Sequence, residues 1–161
     1  MMKRSICFLV LSFVVGAFIL CETAQTQTPT PVSLPVRPAE LKWMPALALP
    51  KGVQFVVIYG VPTKPGLFIS LLKFPPNFRV PPHAHPVQSI VTVLSGTYYS
   101  GEGDKFDPDK LRMFPAGSVL SEPINTPHFA LTREDEVILQ VTLVEPSATQ
   151  YVDPADDPRK R

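Results

Sequence analysis

An all-β domain is the fold class this sequence predicts, and three observations predict it. All 20 prolines lie beyond residue 28 and are spread evenly, which excludes long helices from that region. Between them run short apolar, β-branched segments at 53–59, 67–74, 90–99, 118–121, 128–132 and 137–144, each bounded by Gly, Pro or Asp turns. In the last segment Val137, Leu139, Val141 and Leu143 share one face and Gln140 and Thr142 the other. That period of two is the mark of a half-buried strand. Many short strands with frequent turns make a sandwich or barrel.

The chain begins Met1-Met2-Lys3-Arg4-Ser5, continues through residues 6–20 without a charge, and then turns polar. A basic start, an apolar core and a polar exit read as a secretory signal over residues 1–24, so the protein is expected to be periplasmic or secreted. The apolar stretch is short for a membrane span, which needs roughly 20 apolar residues. No stable membrane association is therefore expected after cleavage. An uncleaved anchor is the alternative, because Glu22 stands at −3 of a cut after Ala24. Leu20 before Cys21 is too large for a lipoprotein signal. Residues 25–39, rich in Thr, Pro and Gln, read as a flexible tether, and 40–161 as one domain.

Cys7 and Cys21 both leave with the signal, so the mature domain has no disulfide and no thiolate. Lys3, Arg4 and Glu22 leave too, and the chain's 15 basic and 14 acidic residues then balance. A neutral domain without a basic cluster has no electrostatic footprint for nucleic acid. The Arg159-Lys160-Arg161 end follows Asp153, Asp156 and Asp157, and reads as a solvated tail. Glu134-Asp135-Glu136 reads as a charged turn, and Glu102, Asp104 and Asp107 lack the ligand spacing of a calcium loop.

The chain has three histidines. His83 and His85 form an H-x-H pair, and two residues spaced by two on a strand point to one face. The flanking Pro81, Pro82 and Pro86 hold that segment extended. His128 follows a second punctuated stretch, Pro123-Ile124-Asn125-Thr126-Pro127. A third imidazole from a neighbouring strand would complete a set of nitrogen donors for a transition metal.

This spacing resembles the two motifs of the cupin superfamily. His83, His85 and Gly96 match the first motif, with Asn77 at its opening glycine and Ser89 at its glutamate. Gly117, Pro123 and His128 match the second, with Asn125 at the inner glycine and Thr132 at the final asparagine. The resemblance spans roughly residues 41–157. The stretches at 103–107 and 151–160 look like those of secreted bacterial single-domain cupins. It implies a cupin-type double-stranded β-helix, a jelly-roll barrel, holding one divalent metal ion (Fe, Zn, Mn, Ni or Cu) on His83, His85 and His128. Asparagine tolerates positive φ, so the glycine replacements are mild. The missing glutamate matters more, since in cupins it usually supplies the fourth, anionic ligand. Ser89 contributes at most a water-mediated contact, and Ser89→Glu would restore an anionic ligand. Alternation turns Gln88 away from the histidine face.

The resulting three-histidine site is similar to that of thiol and diketone dioxygenase cupins. Three neutral imidazoles leave the full divalent charge, which favours a metal-chelating anionic small molecule. With iron the site suits dioxygenase chemistry; with zinc it resembles the open arrangement that lowers the pKa of bound water. No catalytic residue is singled out. Tyr98, Tyr99 and Glu122 are the remaining acid–base candidates, and Glu122 reads as a surface acid. Tyr98, Tyr99 and Phe129 are divided between core and pocket lip. The alternative to an enzyme is a non-catalytic metal- or small-ligand-binding cupin, like the sensory cupin domains of some anti-sigma factors. A homodimer is compatible with either.

Overall fold

A computed structural model describes residues 37–160. The signal reading, both cysteines and most of the tether lie outside the described residues, as does Arg161. Eleven strands and four short 3-10 turns make up the described chain, which is all β as expected. The strands are β1 (Met44–Pro45), β2 (Gln54–Tyr59), β3 (Gly66–Phe74), β4 (Arg79–Ala84), β5 (Ser89–Ser95), β6 (Thr97–Glu102), β7 (Arg112–Pro115), β8 (Val119–Glu122), β9 (His128–Thr132), β10 (Val137–Glu145) and β11 (Gln150–Tyr151).

They form two antiparallel sheets, ordered β1-β2-β3-β10-β5-β8 and β11-β4-β9-β6-β7. This is the jelly-roll barrel that the two motifs imply. The core lies between the sheets, where Phe74, Val91, Val93, Val137 and Leu139 of the first meet Val80, Tyr98 and Ala130 of the second. On β5, Ser89, Val91 and Val93 are buried while Ile90 and Leu94 are exposed, so Ser89 sits on the inner face.

The segment 90–99, read as one strand, is two. Gly96 adopts φ +71, and a Cβ there would collide with the Glu136 carbonyl, so the chain turns between β5 and β6. Asn77 and Asn125, at the motif positions of glycine, both have φ 53, the left-handed conformation asparagine tolerates. Thr132 serves as a clamp. Its hydroxyl donates to Pro75 O at 2.6 Å and accepts from Phe78 N at 2.9 Å, closing the turn before β4. The C-terminal end is not a solvated tail. Arg159 donates to Asp157 through Nε at 2.7 Å and to Thr149 O at 2.8 Å, which folds the end back onto the barrel.

Gly96→Ala should lower stability by about 1–3 kcal/mol, because it adds both strain and a backbone clash. Asn125→Gly should leave stability within about 0.5 kcal/mol of the parent, since glycine adopts the same φ freely. Urea unfolding of the two variants checks both. Equal losses would show that these turns do not constrain the barrel.

Candidate metal centre

β4 and β9 are neighbours, and His83 pairs directly with His128 across the ladder. His85 follows one residue after the end of β4. The three imidazoles converge, with ring centroids 4.4 Å apart for His83 and His128, 5.1 Å for His83 and His85, and 5.3 Å for His85 and His128. One ligand nitrogen from each lies within 4.8 Å of the others. The structure thus brings together all three histidines singled out by spacing.

Each ring is oriented by a backbone carbonyl. His83 Nδ1 donates to Pro81 O at 2.8 Å, His128 Nδ1 to Thr126 O at 3.1 Å, and His85 Nδ1 to Ala148 O at 2.9 Å. A carbonyl only accepts, so Nδ1 carries a proton in each ring, and a ring that is neutral keeps its Nε2 lone pair free. The prolines explain one of these bonds. Pro81 and Pro82 have no N–H for the ladder, and β4 shifts register against β9 between Val80 and His83. The bulge leaves Pro81 without a strand partner, and its carbonyl turns to the His83 ring two residues on. The loop before β9 is pinned to the first motif by Asn125 N, which donates to His85 O at 2.8 Å.

Burial holds His83 and His85 neutral. The pKa of His83 is pushed down to about 3, chiefly by burial and then by the nearby His128 and His85. Burial also lowers that of His85. The neutral imidazole is the state a metal requires. This donor set fits a divalent transition metal, with the Nδ1–H···O=C bonds as the outer support usual for metal-bound histidine.

Glu122 corrects the sequence reading. It is no surface acid: its side chain is 11% exposed, and Oε1 lies 3.5 Å from His128 Nε2. Ser89 is buried and donates to Glu122 Oε2 at 2.6 Å. The two residues are direct partners across β5 and β8. Ser89 therefore contacts the centre through this carboxylate, and a glutamate at 89 would meet an acid already present. Gln88 is exposed and faces away, as alternation implied. Tyr98 is buried on the inner face, and burial, then the Glu122 charge, raises its pKa. Tyr99 instead lies under the Arg133 guanidinium. Phe129 is fully buried and packs on Phe106, with centroids 5.0 Å apart. Asp107 caps the short turn Pro108–Lys110 by accepting from Asp109 N, a structural role.

His83 and His85 open onto a cavity of about 790 Å³ inside the barrel. Phe68, Leu72, Phe74, Val91, Leu139 and Val141 wall it, with His83, His85, Ser89 and Glu122 also lining it. Residues 44–49 and 147–149 border it too, and Tyr151 ties these segments together by donating to Ala48 O at 2.9 Å.

The family of the ChrR cupin-like domain matches residues 33–146, most of the chain. The chain belongs to this cupin family. Solved structures agree on the fold. The polyketide cyclase RemF from Streptomyces resistomycificus is 17% identical, with a TM-score of 0.60 over 78% of this chain and 89% of that one. An RmlC-like cupin from Ralstonia eutropha is 22% identical, with a TM-score of 0.60 over 80% of this chain and 76% of that one. KdgF from Halomonas sp. is 19% identical, with a TM-score of 0.53 over 68% and 94%. No curated protein matches the cupin in sequence.

The metal-free cupin should lose stability as pH falls from about 6.5 toward 3. Its unfolded chain takes up a proton at position 83 that the folded chain refuses, so over that window the unfolded state binds more protons. Above 6.5 the contribution is flat. Thermal unfolding in chelator at stepped pH measures the slope, and His83→Gln, which does not titrate, should make it shallower. An unchanged slope would mean that position 83 is not held neutral by burial.

Proposed function

We propose that this cupin is a metal-dependent enzyme acting on a small, mostly apolar molecule that carries an anionic chelating oxygen. The observation that carries the reading is the convergence of three imidazoles beside a largely apolar cavity of about 790 Å³, which His83 and His85 line. A structural metal site is closed by protein ligands, whereas a catalytic one keeps positions open to solvent and substrate. The cavity is also of the size that encloses a small organic ligand. When bound, the metal supplies Lewis acidity, or with iron a route to dioxygen chemistry, and a dioxygenase is the reaction type we favour. The chain's part is to exclude water with its aliphatic and aromatic walls and to hold the imidazoles in fixed directions. A polyketide cyclase and a DMSP lyase among structures of this fold accord with small-molecule chemistry in such barrels. Export to the periplasm or medium belongs to the same proposal, on the strength of the basic and apolar N-terminal stretch.

The match to the ChrR cupin-like domain favours a second reading, a cupin that binds metal or ligand without turnover. Metal analysis of protein purified without added metal, followed by oxygen-uptake screening with chelating carboxylates and dicarbonyl compounds, separates the two. Stoichiometric iron with uptake is the expected result; tight zinc without turnover would select the binding protein. Alanine at His83, His85 or His128 should each reduce metal occupancy at least about tenfold. Full occupancy in all three variants would remove the metal reading altogether. Intact-mass analysis of secreted or periplasmic protein should show loss of about 24 N-terminal residues, and intact Met1 on cytoplasmic protein would overturn export.

A further inference from the structure

We propose that Glu122 is the fourth, anionic ligand of the metal centre, and that Ser89 positions its carboxylate. The inference rests on the metal reading of the three histidines and adds a ligand from a strand outside the H-x-H motif. Three observations carry it. Position 89, where a glutamate would project inward from β5, holds a serine too short to reach the centre. The residue directly opposite on β8 is Glu122, and the pairing of 89 with 122 places both side chains on the inner face. The acid missing from one strand stands on its neighbour.

The second observation is how the carboxylate is shared. Ser89 Oγ donates to Oε2 at 2.6 Å, and this bond leaves Oε1 directed at His128 Nε2, 3.5 Å away. The third is the chemistry of that gap. His128 Nδ1 already carries the ring's proton, donated to Thr126 O, so Nε2 presents a lone pair to an oxygen that also presents one. Two acceptors that face each other within a buried site need a proton or a metal ion between them, and the separation suits the metal. Two donors at about 2.0–2.1 Å from one five-coordinate ion, and about 110–120° apart, stand about 3.4–3.6 Å from each other, which matches the separation found and leaves a position open. The carboxylate halves the net charge that three imidazoles alone would leave, and fixes one coordination position. The substrate then has fewer open positions and a weaker pull on its anionic oxygen.

Zinc affinity measured by competition with a chromophoric chelator, together with the visible spectrum of the cobalt-substituted protein, tests this on the full mature chain. Glu122→Gln should weaken zinc binding at least about tenfold and shift the cobalt bands. Ser89→Ala should weaken it less, because the ligand stays while its support is lost. The exchanged pair Ser89→Glu with Glu122→Ser should recover affinity to within a few-fold of the parent. Parental zinc affinity and an unchanged cobalt spectrum in Glu122→Gln, alongside loss in His128→Ala, would overturn the assignment while sparing the three-histidine reading. If parent and His128→Ala bind zinc alike, both readings fall. Should Glu122→Gln not fold, the exchanged pair decides: near-parental affinity supports the proposal, and loss of zinc binding overturns it.

Discussion

Three hydrogen bonds from histidine Nδ1 to backbone carbonyls constrain everything else at this centre. An imidazole buried in an apolar barrel costs free energy unless its polar atoms find partners. Here one nitrogen of each ring is satisfied by Pro81, Ala148 or Thr126, and the other is left facing its neighbours. The bonds choose the tautomer, aim the Nε2 lone pairs at one point, and hold the rings rigid. None of the three carbonyls has a ladder partner. Pro81 lies in a register shift, Thr126 in the turn before β9, and Ala148 in the loop after β10. Irregular backbone is placed where the rings need an acceptor, and the regular sheets hold that irregularity in position.

This dependence explains the prolines that flank the histidines. Pro81 and Pro82 break the β4 ladder, while Pro123 and Pro127 bracket the turn that feeds His128 into β9. In an ordinary edge strand such residues would only protect against aggregation. In this barrel they release carbonyls for side-chain bonds, and the turn they shape is fastened to the other motif by the Asn125 to His85 bond. The two motifs are therefore one mechanical unit. A change to the turn should be felt at His85, although residues 85 and 125 are far apart in sequence.

What could be read in the sequence was local. Alternation along 137–144, the H-x-H spacing and the asparagines at glycine positions all depend on neighbouring residues, and the barrel, the shared histidine face and the φ of 53 at Asn77 and Asn125 follow from them. Gly96 also announced its turn, yet the apolar run on both sides of it reads as one strand because hydrophobicity does not register a φ sign. β7 escaped notice because Arg112–Pro115 has neither alternation nor a β-branched residue to mark it as a strand beside β6. The folding back of Arg159 depends on Thr149 and Asp157, partners that charge counting treats as solvated.

Glu122 was hidden for a stricter reason. Motif reading asks which residue stands at a given place along one strand, and position 89 answers serine. The barrel imposes a weaker condition: residues 89 and 122 are opposite partners, so their inward side chains occupy one shared volume. A serine with a glutamate fills that volume as well from either side, and both arrangements deliver one carboxylate and one hydroxyl to the same buried point. Packing therefore constrains the pair and leaves its order free. Because β5 and β8 are separated by two strands in the chain, no periodicity in either segment reveals that they pair. Only the register makes the acid on β8 equivalent to the one absent from β5. The chemical content of the inner face is thus set by cross-strand pairs, and a ligand missing from its strand is properly sought on the strand beside it.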